Sequence, residues 1–143
     1  MTDEQRRKIL WLNRAFHAEK LAKALLSKRD RDRDLAQRLT RGTDGIGSSG
    51  TAGNGTEDAC IRLAETEEKL QAQLRTLVLL RDEIYAAIMA IKDPELEAVL
   101  LRRYLGYESM ELIAERMHYA RMTIHRKHLQ ALDKLVIECY MDK

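Results

Sequence analysis

The chain has 143 residues and a formal net charge of +2, so its length suits one domain or a small domain with an extended arm, and its overall charge predicts no particular partner. One Pro, one Phe and one Trp are few for a compact mixed fold, and few segments alternate apolar and polar residues as half-buried strands do. The abundance of Leu, Ala, Arg, Glu and Lys is typical of long helices, and we expect an all-α protein.

The first predicted helix extends from Asp3 to about Arg41. Thr2 and Gln5 have the spacing of a capping box, and no Gly or Pro interrupts the residues that follow. Residues 1–41 carry a net charge of +6. This basic segment could pair with an acidic helix or contact phosphates.

A glycine-rich stretch follows this helix. Six of the seven glycines lie between Thr40 and Thr56, and we predict a flexible loop over residues 42–55. Phosphate binding by this loop is a poor alternative, because it matches no phosphate-loop pattern and follows no strand. Thr56 is the predicted N-cap of the second helix.

The second predicted helix runs from Thr56 to Asp93, and residues 57–93 carry a net charge of −3. Its side chains recur at spacings of four and three, which indicates a heptad pattern broken by two charged positions. We expect the two helices to form a long antiparallel, coiled-coil-like hairpin over residues 1–93 that self-associates, since one hairpin has little interior. The pattern comprises Leu63, Glu67, Leu70, Leu74, Leu77, Arg81, Ile84, Ile88 and Ile91.

Asp93-Pro94 predicts a domain boundary, because the residue before Pro avoids the helical region while Pro favours the first turn of a new helix. Three short helical patterns follow in residues 94–143. The first ends at Gly106, the second extends from Glu108 to Met117, and the third extends from Arg121 to about Tyr140. Their spacing predicts a trihelical helix-turn-helix module.

The last predicted helix has one apolar and one polar face. With Ile124, Ala131, Leu132, Leu135 and Val136 turned inward, the helix exposes side chains that can donate to bases or phosphates or pack on a thymine methyl group. Ser109 and Thr123 are placed where contacts to the DNA backbone usually fall. The candidate base-facing residues are Arg121, Met122, His125, Arg126 and Gln130.

The sequence RRYLGYESMELIAERMHYARMTIHRKHLQALDKL, residues 102–135, resembles region 4 of sigma-70-type factors, and more closely a family of small phage and prophage regulators that carry this module after a helical N-terminal half. The resemblance implies a DNA-binding transcription regulator whose base-facing positions are the five just named. Cys60 and Cys139 lie far apart and form no CxxC pair, which favours a reducing cytoplasm. The resemblance rests on Leu100, Tyr104, Ile113, Ala114, Met117, Ile124, Ala131, Leu132, Lys134 and Leu135.

Three positions depart from that pattern. Ala120 replaces a usual Ser cap, Lys127 replaces an aliphatic residue, and His118 replaces a Gly or Asn in the turn. No segment resembles the promoter-melting domain of a complete sigma factor, so the resemblance favours an activator or adaptor, with RNA polymerase as a further candidate partner.

Other functions have weaker support. His125 and His128 could share a metal ion but lack a third ligand, Cys60 and Cys139 form no CxxC pair, and no acidic pair accompanies a pocket signature, so we expect no metal, no cofactor and no enzyme. No run of about 18 apolar residues predicts a membrane span. The alternative function is a phage DNA-packaging subunit, similar to a small terminase, or an architectural DNA-binding oligomer.

Overall fold

The computed structural model describes residues 1–42 and 51–137, and this part of the chain is helical without any strand. The prediction of an all-α protein is confirmed. Most of the predicted glycine-rich loop and the predicted end of the last helix lie outside the described residues. The elements are α1 (Asp3–Leu12), α2 (Arg14–Gly42), α3 (Thr51–Met89), α4 (Pro94–Leu100), a π-helical segment (Leu101–Leu105), α5 (Met110–Met117) and α6 (Arg121–Lys134).

The first predicted helix begins as expected but is interrupted. Thr2 Oγ1 accepts from the Gln5 N–H at 3.1 Å, and Gln5 Oε1 accepts from the Thr2 N–H at 2.9 Å, which completes the capping box. The helix breaks at Asn13, between α1 and α2. At this break Arg14 Nε donates to the carbonyl oxygen of Trp11 at 2.9 Å, so a side chain satisfies a backbone acceptor there.

The second predicted helix begins earlier than Thr56. Helix α3 starts at Thr51, so Thr56 lies inside the helix and the prediction that it is the N-cap is wrong. Gly55 has open space around its Cα position and no positive φ, so nothing there forces a turn. Each residue added to an existing helix gains a hydrogen bond, which offsets the roughly 1 kcal/mol cost of Gly.

The chain divides into two compact units. Unit 1 contains Met1–His17 and Val78–Lys143, and unit 2 contains Ala18–Leu77. Helix α1 belongs to unit 1 because it packs on α6: Gln5 Nε2 donates to Asp133 Oδ1 at 2.8 Å, and the buried Lys8 Nζ donates to the Leu132 carbonyl at 2.8 Å. None of the described helices is both long enough and apolar enough to cross a membrane.

Unit 2 consists of two helical segments joined by polar contacts. Gln73 Nε2 donates to the Ala18 carbonyl at 3.0 Å, and the buried Thr66 hydroxyl donates to Asp32 at 2.7 Å and accepts from Lys28 at 2.9 Å. The hydrogen bonds from Lys28 and Thr66 lower the pKa of Asp32. These contacts join residues 18–32 of α2 to residues 66–73 of α3.

The apolar core of unit 1 lies between α4, α5 and α6. Val99, Ile113, Ala114 and Ile124 form one buried cluster, against which Met110 and Met117 pack. Ile84 and Ile88 of α3 and Leu12 of α1 are also fully buried. Helices α1, α4 and α5 all pack against α6 and thus fix its position.

Two helix ends differ from the predictions. Gly106 has φ −93°, so it is not the left-handed residue at this helix end; that residue is Tyr107. Gly is needed at position 106 because a Cβ there would lie 2.9 Å from the carbonyl oxygen of Arg102. Helix α6 ends at Lys134, and Leu135 is extended. Val136 is therefore not on the helix and is 73% exposed, so its predicted inward position is wrong; Ile137 is buried.

Candidate nucleic-acid interface

Helices α5 and α6 are joined by the three residues His118 to Ala120. Ser109 caps α5 by accepting from the Leu112 N–H at 3.2 Å. His118 ends α5 in the left-handed conformation, with φ 60° and ψ 42°, which His adopts more readily than most residues. Ala120 precedes α6 and has no side-chain acceptor, so α6 begins without a side-chain cap. Its first backbone N–H groups therefore keep their capacity to donate.

The inner face of α6 is fixed in the core. Ile124, Ala131 and Leu132 are fully buried, as predicted, and His128 is also buried at 3% exposure. Because these residues recur at helical spacing, they determine which side chains of α6 point away from the protein.

His128 is a polar residue in this inner face. Its Nε2 lies 2.7 Å from the Tyr104 hydroxyl, and the two rings stack with centroids 5.7 Å apart. Burial, aided by Arg103 and His125, lowers the pKa of His128 to about 4, and burial raises the pKa of Tyr104 to about 12. Both groups are thus neutral at pH 7. His128 Nδ1 has no hydrogen-bond partner among the described residues.

The outer face of α6 carries the residues that the sequence selects. All five candidate base-facing side chains are exposed, and Met122 is 63% exposed. Thr123 is half-buried at its edge, and Ser109 is exposed at the start of α5 while its oxygen caps that helix. We call the five exposed residues the open face of α6: Arg121, Met122, His125, Arg126 and Gln130.

Three cations of α6 form ion pairs with carboxylates of the same chain. Lys127 lies 3.0 Å from Glu95, and Lys134 lies 3.7 Å from Asp93, both beside the start of α4. Arg121 pairs with Glu111 of α5 at 3.0 Å. Arg126 has no carboxylate partner among the described residues. It is therefore the cation of the open face that is free to contact another molecule.

Glu95 connects α4 to the turn and to α6, a contact that the sequence does not indicate. It accepts from the Tyr119 hydroxyl and from Lys127, whose ammonium lies 5.0 Å from the Tyr119 ring centroid. The bonds from Tyr119 and Lys127 lower the pKa of Glu95, and the bond to Glu95 raises the pKa values of both partners. Lys127 thus occupies its unusual position by pairing with Glu95.

No group of three His, Cys, Asp or Glu side chains in the described residues could hold a metal ion. His125 is exposed and His128 is buried, so these two do not share one accessible site. Comparison of the chain with protein-family models, curated proteins and solved structures finds no match.

Proposed function

We propose that the chain is a sequence-specific, double-stranded DNA-binding transcription regulator that places α6 in the major groove. The observation that carries this proposal is the division of α6 into a buried inner face and the open face. The N-terminal half of a recognition helix is the part that contacts base edges, and four of the five open-face residues lie in the first six positions of α6.

The open face has the chemistry that base recognition requires. Arg126 can donate two hydrogen bonds to guanine O6 and N7, Gln130 can bond adenine N6 and N7, and Met122 can pack on a thymine methyl group. Thr123 and the uncapped N–H groups of α6 can contact phosphates, as can the Ser109 hydroxyl proton. In this proposal the open face of α6 determines the preferred base sequence, and the contacts at the N-terminal edge of α6 orient the protein on the duplex.

The surroundings of α6 favour interpreting α4, α5 and α6 as a helix-turn-helix module. Helix α5 is eight residues long, His118 reverses the chain in the left-handed conformation, and α6 follows after two more residues. Val99, Ile113, Ala114 and Ile124 pack together behind α6. This is the arrangement that the resemblance to sigma-70 region 4 implies. Contact with RNA polymerase, as an activator or adaptor, rests on that resemblance alone.

Self-association is part of the proposal. Within unit 1, α3 exposes several large apolar side chains, and three of them, Val78, Tyr85 and Met89, lie seven and four residues apart on one side of the helix. A second copy of the chain is the partner that a helical transcription regulator most often uses, because two copies bind two half-sites. These side chains are Val78, Leu79, Tyr85 and Met89.

The experiment that tests this function is selection of bound fragments from a pool of random-sequence duplexes, followed by affinity measurements over a salt series. We expect one enriched sequence that binds roughly 10³-fold or more tightly than its scrambled version, with affinity for both falling steeply as salt rises. An unenriched pool, or equal affinity for the two duplexes, would contradict the proposal.

A further inference from the structure

The part of α3 that belongs to unit 1, residues 78–89, has one exposed side that is largely apolar. Four exposed residues recur on it at spacings of four, three and four, so they lie along the same side of the helix. Ile84 and Ile88, from the same turns, are fully buried in unit 1. We call the four exposed residues the α3 stripe: Val78, Asp82, Tyr85 and Met89.

A single charge interrupts the α3 stripe, and it has no partner of its own. The exposed side chain of Asp82 forms no ion pair with any described residue, and the same holds for Lys92, which follows the end of α3. The two residues are ten positions apart, about 15 Å along a helix, which is farther than an aspartate and a lysine side chain can bridge. Each copy of the chain therefore carries an unpaired acid and an unpaired base at opposite ends of one surface.

This surface is complementary to itself when two copies run in opposite directions. A register that places Asp82 opposite Lys92 of a second copy also places Tyr85 opposite Met89 of that copy, because both pairs are centred on position 87. One register thus joins opposite charges and apolar side chains together. A parallel pair would instead set Asp82 against Asp82 and Lys92 against Lys92, and like charges repel.

We propose that two copies of the chain associate through the α3 stripe as an antiparallel pair, with a two-fold axis near position 87. This inference rests on the proposed function and specifies its self-association. Residues 78–89 of α3 and all of α6 belong to the same compact unit, so the axis that relates the two stripes also relates the two α6 helices. The DNA site therefore consists of two half-sites in inverted orientation.

The contact is short, which determines how the association is observed. An overlap from position 82 to position 92 is about 15 Å long, and it buries less than the roughly 800 Å² per partner of a stable interface. Free copies therefore associate weakly, with a dissociation constant on the order of micromolar or above. A duplex with two half-sites holds both copies at a high effective concentration, so it should bind them cooperatively.

The test reverses the two charges in the full-length chain and measures self-association by sedimentation at low salt over a concentration series. An exposed ion pair contributes about twofold to affinity, and each dimer contains two, so either Asp82→Lys or Lys92→Asp replaces two attractions by two repulsions and weakens association about 16-fold. The double variant Asp82→Lys/Lys92→Asp restores the opposite charges and should associate as the wild type does. Aspartate tolerates the left-handed backbone at position 92, where φ is 60°.

The control is Asp58→Lys, which makes the same change in net charge at an exposed position of unit 2. It should leave association unchanged. A wild-type chain that stays monomeric throughout, a double variant as weak as the single ones, or a control as weak as Asp82→Lys would each overturn the proposal.

Failure of the proposed function gives a different result. Selection of bound duplexes should recover an inverted repeat, and Asp82→Lys should reduce cooperativity on that repeat while leaving single half-site affinity close to that of Asp58→Lys. Restoration of association by the double variant without any enriched sequence would reject DNA recognition alone. An enriched single site that one copy occupies would instead overturn the pairing and leave DNA recognition standing.

Discussion

Acidification should destabilise the fold through the buried His128. The imidazole is 3% exposed, and burial lowers its pKa from 6.5 to about 4. Between these two values the unfolded chain binds a proton that the folded chain does not. The contribution of neutral His128 to the free energy of unfolding is therefore complete above about pH 6.5 and is lost as the pH falls towards 4.

The magnitude follows from this difference in pKa. At one pKa unit per 1.36 kcal/mol, the full loss is about 3 kcal/mol, of which about 2 kcal/mol falls between pH 7 and pH 5. Glu95 and Asp32 have lowered pKa values and titrate below the ordinary range of carboxyl groups, so they affect stability mainly at more acidic pH. The interval from pH 7 to pH 5 thus isolates the histidine contribution.

The assay is denaturant unfolding at a series of pH values, with Tyr104→Phe/His128→Phe as the comparison. The double substitution removes the hydrogen bond and the titrating group while keeping two stacked rings, so neither partner is left unsatisfied. We expect the wild type to lose about 2 kcal/mol between pH 7 and pH 5, and the double variant to lose much less. The same loss in both proteins would show that His128 is not the cause.

Two further substitutions test the core and the self-association. Ile124→Ala should lower the free energy of unfolding by about 2–5 kcal/mol, because Ile124 is 0% exposed in the cluster behind α6; a loss below 1 kcal/mol in denaturant unfolding would contradict that packing. Leu79→Glu should lower the mass measured by light scattering while helical circular dichroism is retained, because Leu79 is 69% exposed; an unchanged oligomeric mass would exclude this part of α3 from the interface.

The sequence predicts the local features of this chain well, because each depends on residues a few positions apart. The capping box at Thr2 and the left-handed His118 follow from short-range chemistry. The inner and open faces of α6 follow from a period of 3.6 residues. The antiparallel hairpin and the helix-turn-helix module remain interpretations of these helices.

Contacts between distant residues leave no such pattern. Lys8 donates to the Leu132 carbonyl across 124 positions, and the helical pattern of residues 1–93 does not indicate this packing of α1 in unit 1. The helical period places His128 on the inner face of α6, but it does not indicate that the hydroxyl of Tyr104, 24 positions away, is its partner. Val136 fits the apolar period of α6, but the helix ends before it. The Arg121–Glu111 pair likewise joins two helices and has no periodic signal.

The most direct test of base recognition by α6 is the affinity of Arg126→Ala for the selected duplex and for its scrambled version. Arg38→Ala serves as a control, since it removes an equal charge from an exposed position in unit 2. We predict that Arg126→Ala weakens binding to the selected duplex by about 1–3 kcal/mol and relaxes the preference at one base pair, with a smaller loss on scrambled DNA. Equal losses would make Arg126 a phosphate contact, and undiminished binding to both duplexes would contradict the placement of α6 in the groove.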